Sequence, residues 1–361
     1  MHLVRYGALA LLVIASACSD SDPSSVDGGA NGIDSGNPLI DASPNGPDAN
    51  TSCNAVPSSS PSWIGGFQDD IVARLTGETA VTPGVFLSPD RASSNRRATT
   101  RTYLMAKLTE LGLTAQQQTY SGGANPYAVL QASSTSSSNI VIGAHFDSVT
   151  NSPGANDNAT GVAMVMAIAR YLLTVDCRQS NFYFVFFDQE EIGLVGSFEY
   201  AQWLSSQSIN VTSVHTIDQM GWDQDNDLAI ELERPSGNLY AEWAQSKSAA
   251  GLSMTLHQTG TGSTDHVSFR NAGFSAIGIT EEFVNGDTTP HYHLSSDTYS
   301  TVDFPYLLST TVLANAHFGR LARLSSAQMV QHTPTRQWPA NGFGHSQRAP
   351  VNAGCRHAYG R

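Results

Sequence analysis

From Asn139 onward the chain alternates unbroken apolar segments with helical ones. Asn139-Ile-Val-Ile-Gly-Ala144 is followed by the helical spacing of Ala159–Leu173, and Phe182-Tyr-Phe-Val-Phe-Phe187 by that of Gly193–Leu204. Val211–Ile217 and Leu228–Leu232 lead to Leu239–Ala249, then Ala276–Ile279 to a closing helix over Phe304–Leu324. Strands without polar alternation must be covered on both faces, and the intervening helices supply the cover. The expected fold class is therefore α/β, a three-layer αβα sandwich on a mostly parallel central sheet. Ahead of it, Phe67–Leu75 and Asn95–Leu111 have helical spacing, the latter stopping at Gly112, and Thr114–Tyr120 and Pro126–Ser133 read as strands.

Open sheets of this kind bind ligands beyond the carboxyl ends of their strands. Three of the strands end in or lead into His145, Asp188–Glu191 and Asp218, which should gather at one rim. Asp147 lies two residues beyond His145; in extended chain it points the same way and can accept the spare imidazole N–H. Asp157 sits in the turn Pro153-Gly-Ala-Asn-Asp157-Asn-Ala-Thr-Gly161, where an aspartate is ordinarily a helix cap. It is also the next acid after Asp147, on the loop returning from the same rim. Glu190 and Glu191 are adjacent carboxylates that repel unless a cation or proton transfer is involved. With His293 the inventory is two imidazoles and three carboxylates, His145, Asp157, Glu191, Asp218 and His293, leaving Glu190 over for proton transfer. This N/O set suits zinc, and paired metals about 3.5–4 Å apart are a hydrolytic device.

These segments, His145-x-Asp147, Asn156-Asp157, Glu190-Glu191-x-Gly193, Ile217-Asp218-Gln-Met-Gly221 and Tyr292-His293 with Asp297-Thr298, resemble in order and spacing the motif series of the co-catalytic zinc aminopeptidases. That metallopeptidase family includes the bacterial secreted leucyl aminopeptidases. The resemblance covers roughly Trp63 to Leu324 and implies a phosphorylase-like zinc-peptidase fold, two Zn2+ per chain and removal of N-terminal residues from peptides. It implies Asp157 as the bridge between the metals, His145 and Asp218 completing one site, and Glu191 and His293 the other. Glu190 matches the general base, Asp147 the partner of His145, and Tyr292 a residue that hydrogen-bonds the tetrahedral oxyanion in some members. The family's bridging Asp is often followed by another Asp across a cis peptide; here Asn158 follows. His291 competes for the His293 role, and the downstream Asp297-Thr298 favours His293. Glu281 and Glu282 are candidates for a substrate α-ammonium, Asp265-His266 is read as a structural helix start, and Asp223, Asp225 and Asp227 as a solvated turn.

Phe187-Asp-Gln-Glu-Glu191 also resembles glutaminyl cyclase, a single-zinc acyltransferase on a similar scaffold, whereas Gly193-Leu-Val-Gly-Ser197 and Tyr292-His293 fit the peptidase better. The short spans between Glu191, Asp218 and His293 disfavour related enzymes with an inserted dimerisation domain. An inactive peptidase-fold binding protein would lack ligands, and none is missing here.

The termini differ from the body. Arg5, the apolar run Gly7–Ala15 and Ala15-Ser-Ala17 read as a signal peptide over 1–17, followed by Cys18. Ordinary cleavage and a lipidated Cys18 both fit, and the tether-like 18–60, rich in Asp, Gly, Asn, Pro and Ser, favours the lipoprotein. Export to a bacterial cell envelope, or secretion, follows, with a membrane tether through Cys18 and a monomer expected. If Cys18 is lipidated, Cys53, Cys177 and Cys355 allow at most one disulfide. The catalytic domain is expected over 61–326 and a poorly ordered extension over 327–361. A formal net charge of −13 argues against nucleic acid as a partner.

Overall fold

The computed structural model describes residues 56–136, 138–324 and 328. The expected signal peptide, Cys18 and nearly all of the linker and of the C-terminal extension lie outside these residues. Cys177 is disulfide-bonded.

Helices α1 (Ile64–Leu75) and α2 (Ser94–Glu110) precede strands β1 (Gln116–Tyr120), β2 (Gly123–Leu130) and β3 (Asn139–His145). Then come α3 (Gly161–Leu172), β4 (Asn181–Phe187), α4 (Val195–Ser206), β5 (Val211–Asp218), β6 (Ile230–Glu233) and α5 (Leu239–Ala249). The chain closes with β7 (Leu256–Thr259), α6 (His266–Asn271), β8 (Ala276–Glu281) and α7 (Phe304–Arg323). The strands form one eight-stranded sheet in the order β1-β2-β4-β3-β5-β8-β6-β7. Its centre, β4-β3-β5-β8, is parallel throughout, while β1, β2 and the β6/β8 pairing are antiparallel.

The unbroken apolar strands have the two-sided burial their sequence demands. Along β4, Phe182, Phe184 and Phe186 enter one core while Val185 and Phe187 enter the other; along β3, Ile140, Ile142 and Ala144 oppose Val141. The first core is closed by α1, α2, α3, α5 and α7, the second by α4 and α6. Each fully buried phenylalanine contributes about 2–3 kcal/mol. The three-layer αβα arrangement is thus the observed fold. Two elements differ from the sequence reading. β7 is a short edge strand, Leu256-His-Gln-Thr, without apolar alternation, and was not expected. The helix expected from Ala159 begins at Gly161, because Ala155–Thr160 forms a wide turn in which Asp157 (φ −109°, ψ 87°) leaves helical geometry.

Parallel pairing sets the rim. His145 is in register with Phe187 across β3 and β4, so the turn carrying Glu190 and Glu191 leaves the sheet beside His145. Asp218 ends the neighbouring β5 at the same edge.

Candidate metal centre

The rim brings the five expected ligands together around Asp157. Its Oδ1 lies 3.2 Å from His145 Nε2 and its Oδ2 3.2 Å from His293 Nε2. His145 Nε2 is also 3.3 Å from Asp218 Oδ1, and His293 Nε2 3.1 Å from Glu191 Oε2. Two triads result, His145–Asp157–Asp218 and Asp157–Glu191–His293, sharing the one aspartate. His145 Nε2, Asp218 Oδ1 and Glu191 Oε1 are buried and have no hydrogen-bond partner among the described residues. Such atoms are costly unless something coordinates them. The donor set, imidazole nitrogen and carboxylate oxygen without thiolate, fits zinc at both triads.

The turn bearing Asp157 is held from three sides. Asp297 accepts the backbone N–H of Asn156 at 2.8 Å and of Asp157 at 3.1 Å. Asn158 accepts from Gly161 N (2.9 Å) and Gln219 N (3.2 Å) and donates to Ile217 O (2.9 Å), tying the turn to the end of β5. The Asp157–Asn158 peptide is cis. Asp157 makes no capping hydrogen bond to α3, so the helix-cap alternative does not describe it. Gly161 permits this closeness: a Cβ there would stand 2.1 Å from Asn158 Oδ1. Below the turn lies Arg91, 0% exposed, whose guanidinium donates to Phe146 O (2.6 Å), Leu75 O (3.0 Å), Gly154 O (2.8 Å) and Pro153 O. It joins the backbone after β3 to the backbone before Asp157.

Asp147 stands beside His145, its Oδ1 3.5 Å from His145 Nδ1. Asp147 also accepts the backbone N–H groups of Glu190 (3.1 Å) and Glu191 (3.3 Å). It fixes the turn that carries both glutamates.

Electrostatics follow from this crowding of acids. Burial drives the Glu190 carboxyl well above its usual range, with Glu191 adding to the rise against the opposing pull of His145, and Glu190 Oε1 has no hydrogen-bond partner. Burial and the Asp157 charge push Glu191 up to about 8. Burial would also raise Asp157, but the two imidazoles outweigh it and hold that carboxyl low. His293, which burial alone would lower, is pushed up to about 10 by Asp157 and Glu191.

A small cavity opens onto the cluster, lined by Asp157, Glu190, Asp218, Glu233, Tyr292 and His293 among others. The Tyr292 ring stacks on His293 with centroids 3.8 Å apart. His291 turns away, its Nδ1 3.0 Å from Ser296 Oγ and its ring edge-on to Trp222, so His293 is the imidazole at the cluster. Asp188, expected at the same rim, is instead fully buried between Arg97 and Arg101 of α2, each 2.7 Å away. Glu281 and Glu282 do not line the cavity. Glu281 accepts from Asn156 Nδ2 (2.8 Å), Gly221 N (3.1 Å) and Trp222 N (2.8 Å), and Glu282 lies 3.4 Å from His257. Arg91 and Glu233 were not singled out from the sequence. No motif marks Arg91, and Glu233 ends a short strand whose acids alternate with apolar residues, as on any half-exposed strand.

Several known proteins are similar to this chain. "Aminopeptidase YwaD" of Bacillus subtilis is 33% identical over 169 residues, 44% of this chain and 35% of that protein, so the match spans about a third of the relative's length. In structure, the Legionella pneumophila LapA aminopeptidase superposes with a TM-score of 0.62 at 23% identity, covering 73% of this chain and 75% of that one. A Porphyromonas gingivalis glutaminyl cyclase gives 0.58 at 18% identity, covering 71% and 98%. These two likenesses establish the fold. The profile of peptidase family M28 matches residues 125–316, more than half of the chain and the stretch that carries every ligand described above. The chain belongs to peptidase family M28.

Proposed function

We propose that this protein is an exported dizinc aminopeptidase that hydrolyses the N-terminal residue from peptides. The observation that carries the reading is Asp157, which turns one carboxylate oxygen to each of two otherwise separate triads. His145 and Asp218 would hold one zinc with it, Glu191 and His293 the other. When bound, the zinc pair supplies a Lewis acid for the scissile carbonyl and lowers the pKa of water.

The remaining work belongs to side chains. Glu190 reaches the same cavity with an unpartnered Oε1. It is the general base, taking a proton from the attacking water and passing it to the leaving amine. Burial raises its affinity for a proton, which suits a group that must accept one from water. Asp147 holds Glu190 in place through the backbone N–H. Tyr292, on the cavity wall against His293, donates its hydroxyl to the developing oxyanion. Aminopeptidase action rests on family membership and on the names of the relatives. Export rests on the sequence of 1–17, with Cys18 as the lipid anchor.

Glutaminyl cyclase activity is the second reading, supported by the shared fold. It needs a single zinc, whereas both triads are complete here. Metal content measured beside a panel of aminoacyl, carboxy-terminal and glutaminyl substrates separates the two. Two zincs with aminoacyl hydrolysis support the peptidase; one zinc with cyclisation of glutaminyl peptides overturns it.

A further inference from the structure

The cavity beside the metal centre has an acid that neither the ligand set nor the proton shuttle uses. Glu233 ends β6, is 2% exposed and lines the cavity together with Glu190, Asp218 and Tyr292. The sheet register places it. Asp218 on β5 is opposite Thr280 on β8, and two residues deeper Thr216 is opposite Gly278, which in turn is opposite Glu233. Directly opposed residues share a face of the sheet, so Asp218 and Glu233 stand on the same side, with β8 between them. Two strand spacings and two residues of rise put their backbones about 10 Å apart across the sheet and about 7 Å apart in depth. Gly278 makes room for the Glu233 carboxyl and its neighbour: a Cβ at Gly278 would stand 2.4 Å from Glu233 Oε2 and 2.7 Å from His266 Nδ1.

The partners of this carboxyl are neutral. Thr264 Oγ1 donates to Oε2 at 2.9 Å, and His266 Nδ1 lies 3.4 Å away. Burial holds His266 down to about 3, so it brings no charge, and pushes Glu233 itself up to about 8, a rise that a cation entering the cavity would offset. Among the described residues no lysine or arginine lines the cavity; the rest of its wall is formed by Gln219, Thr261, Ser263, Thr264, Thr280 and Phe283. We propose that Glu233 forms the floor of the pocket for the substrate's N-terminal side chain and selects basic residues, lysine and arginine. Its depth below the ligand row suits the tip of a long side chain, whereas the α-ammonium must stay beside the scissile bond. The inference rests on the aminopeptidase reading above.

The test compares kcat/KM for lysyl, arginyl and leucyl p-nitroanilides on the zinc-loaded full chain, wild type and Glu233→Gln. Wild type should favour the basic substrates over leucyl by about 10-fold or more, and Glu233→Gln should lower the basic rates by about 10- to 100-fold while changing the leucyl rate less than about 3-fold. The wild-type ranking needs no variant, so a poorly folded Glu233→Gln leaves the test intact. A wild type that prefers leucyl substrate overturns the inference alone. Equal loss on all three substrates also overturns it, giving Glu233 a structural role through Thr264 and His266. A wild type that cleaves no aminoacyl substrate overturns the aminopeptidase reading as well.

Discussion

Asp147 Oδ1 accepts the backbone N–H of Glu190 at 3.1 Å, so the proposed general base is positioned by an acid from a neighbouring strand end. The adjacent N–H of Glu191 reaches the other oxygen at 3.3 Å. In Asp147→Asn, one of these N–H groups faces an amide donor. Activity or zinc affinity should fall about 10- to 100-fold, as for other groups that orient metal ligands. Titration with a zinc-competing chelator beside steady-state kinetics measures both. An unchanged variant would remove Asp147 from the machinery.

Glu190→Gln removes the proton acceptor and keeps the shape. It should lower kcat by about 100- to 10,000-fold with little change in KM, and leave zinc content unchanged. Metal analysis on the same preparation separates lost chemistry from lost metal.

Arg91 predicts a stability effect. Its guanidinium serves four carbonyl oxygens inside the fold. Arg91→Met leaves them unsatisfied and should cost at least about 3 kcal/mol in urea unfolding. The loops it joins carry His145 and Asp157, so zinc affinity should fall with it.

His317 predicts a pH effect. Burial, with His215 and Arg320 adding, drives its pKa well below 6.5, so it is neutral in the folded protein and protonates on unfolding. Below pH 6.5 the unfolded chain binds the extra proton, and stability falls as pH falls. At pH 5.5 the loss is about 1.4 kcal/mol relative to neutral pH. His317→Gln should lower the melting temperature at every pH, because the stack on Trp243 (4.1 Å) is lost, yet show a shallower decline between pH 7.5 and 5.5. An equal decline in both proteins would contradict the assignment.

The layered fold was legible because unbroken apolar strands admit only a sheet covered on both faces. Four of the five candidate ligands were legible because they stand at or just beyond a strand end or in the turn returning from the rim, whereas His293 lies in the loop after β8 and came from the resemblance alone. Asp157 shows the limit: by itself it reads as a helix cap, and the wide turn before Gly161 is what turns one oxygen toward His145 and the other toward His293. Asp188 follows the same strand, but its carboxyl pairs with Arg97 and Arg101, a partnership that no local pattern announces. Glu233 needed the register across β5, β8 and β6, a relationship between segments far apart in the chain.

Zinc per chain in the purified protein, measured in wild type and in Asp157→Ala, tests the shared-aspartate centre most directly. Two zincs are expected in wild type, and a single substitution should release both, with loss of aminoacyl hydrolysis. One zinc in wild type, or one zinc retained tightly by Asp157→Ala, would contradict a bridge at Asp157.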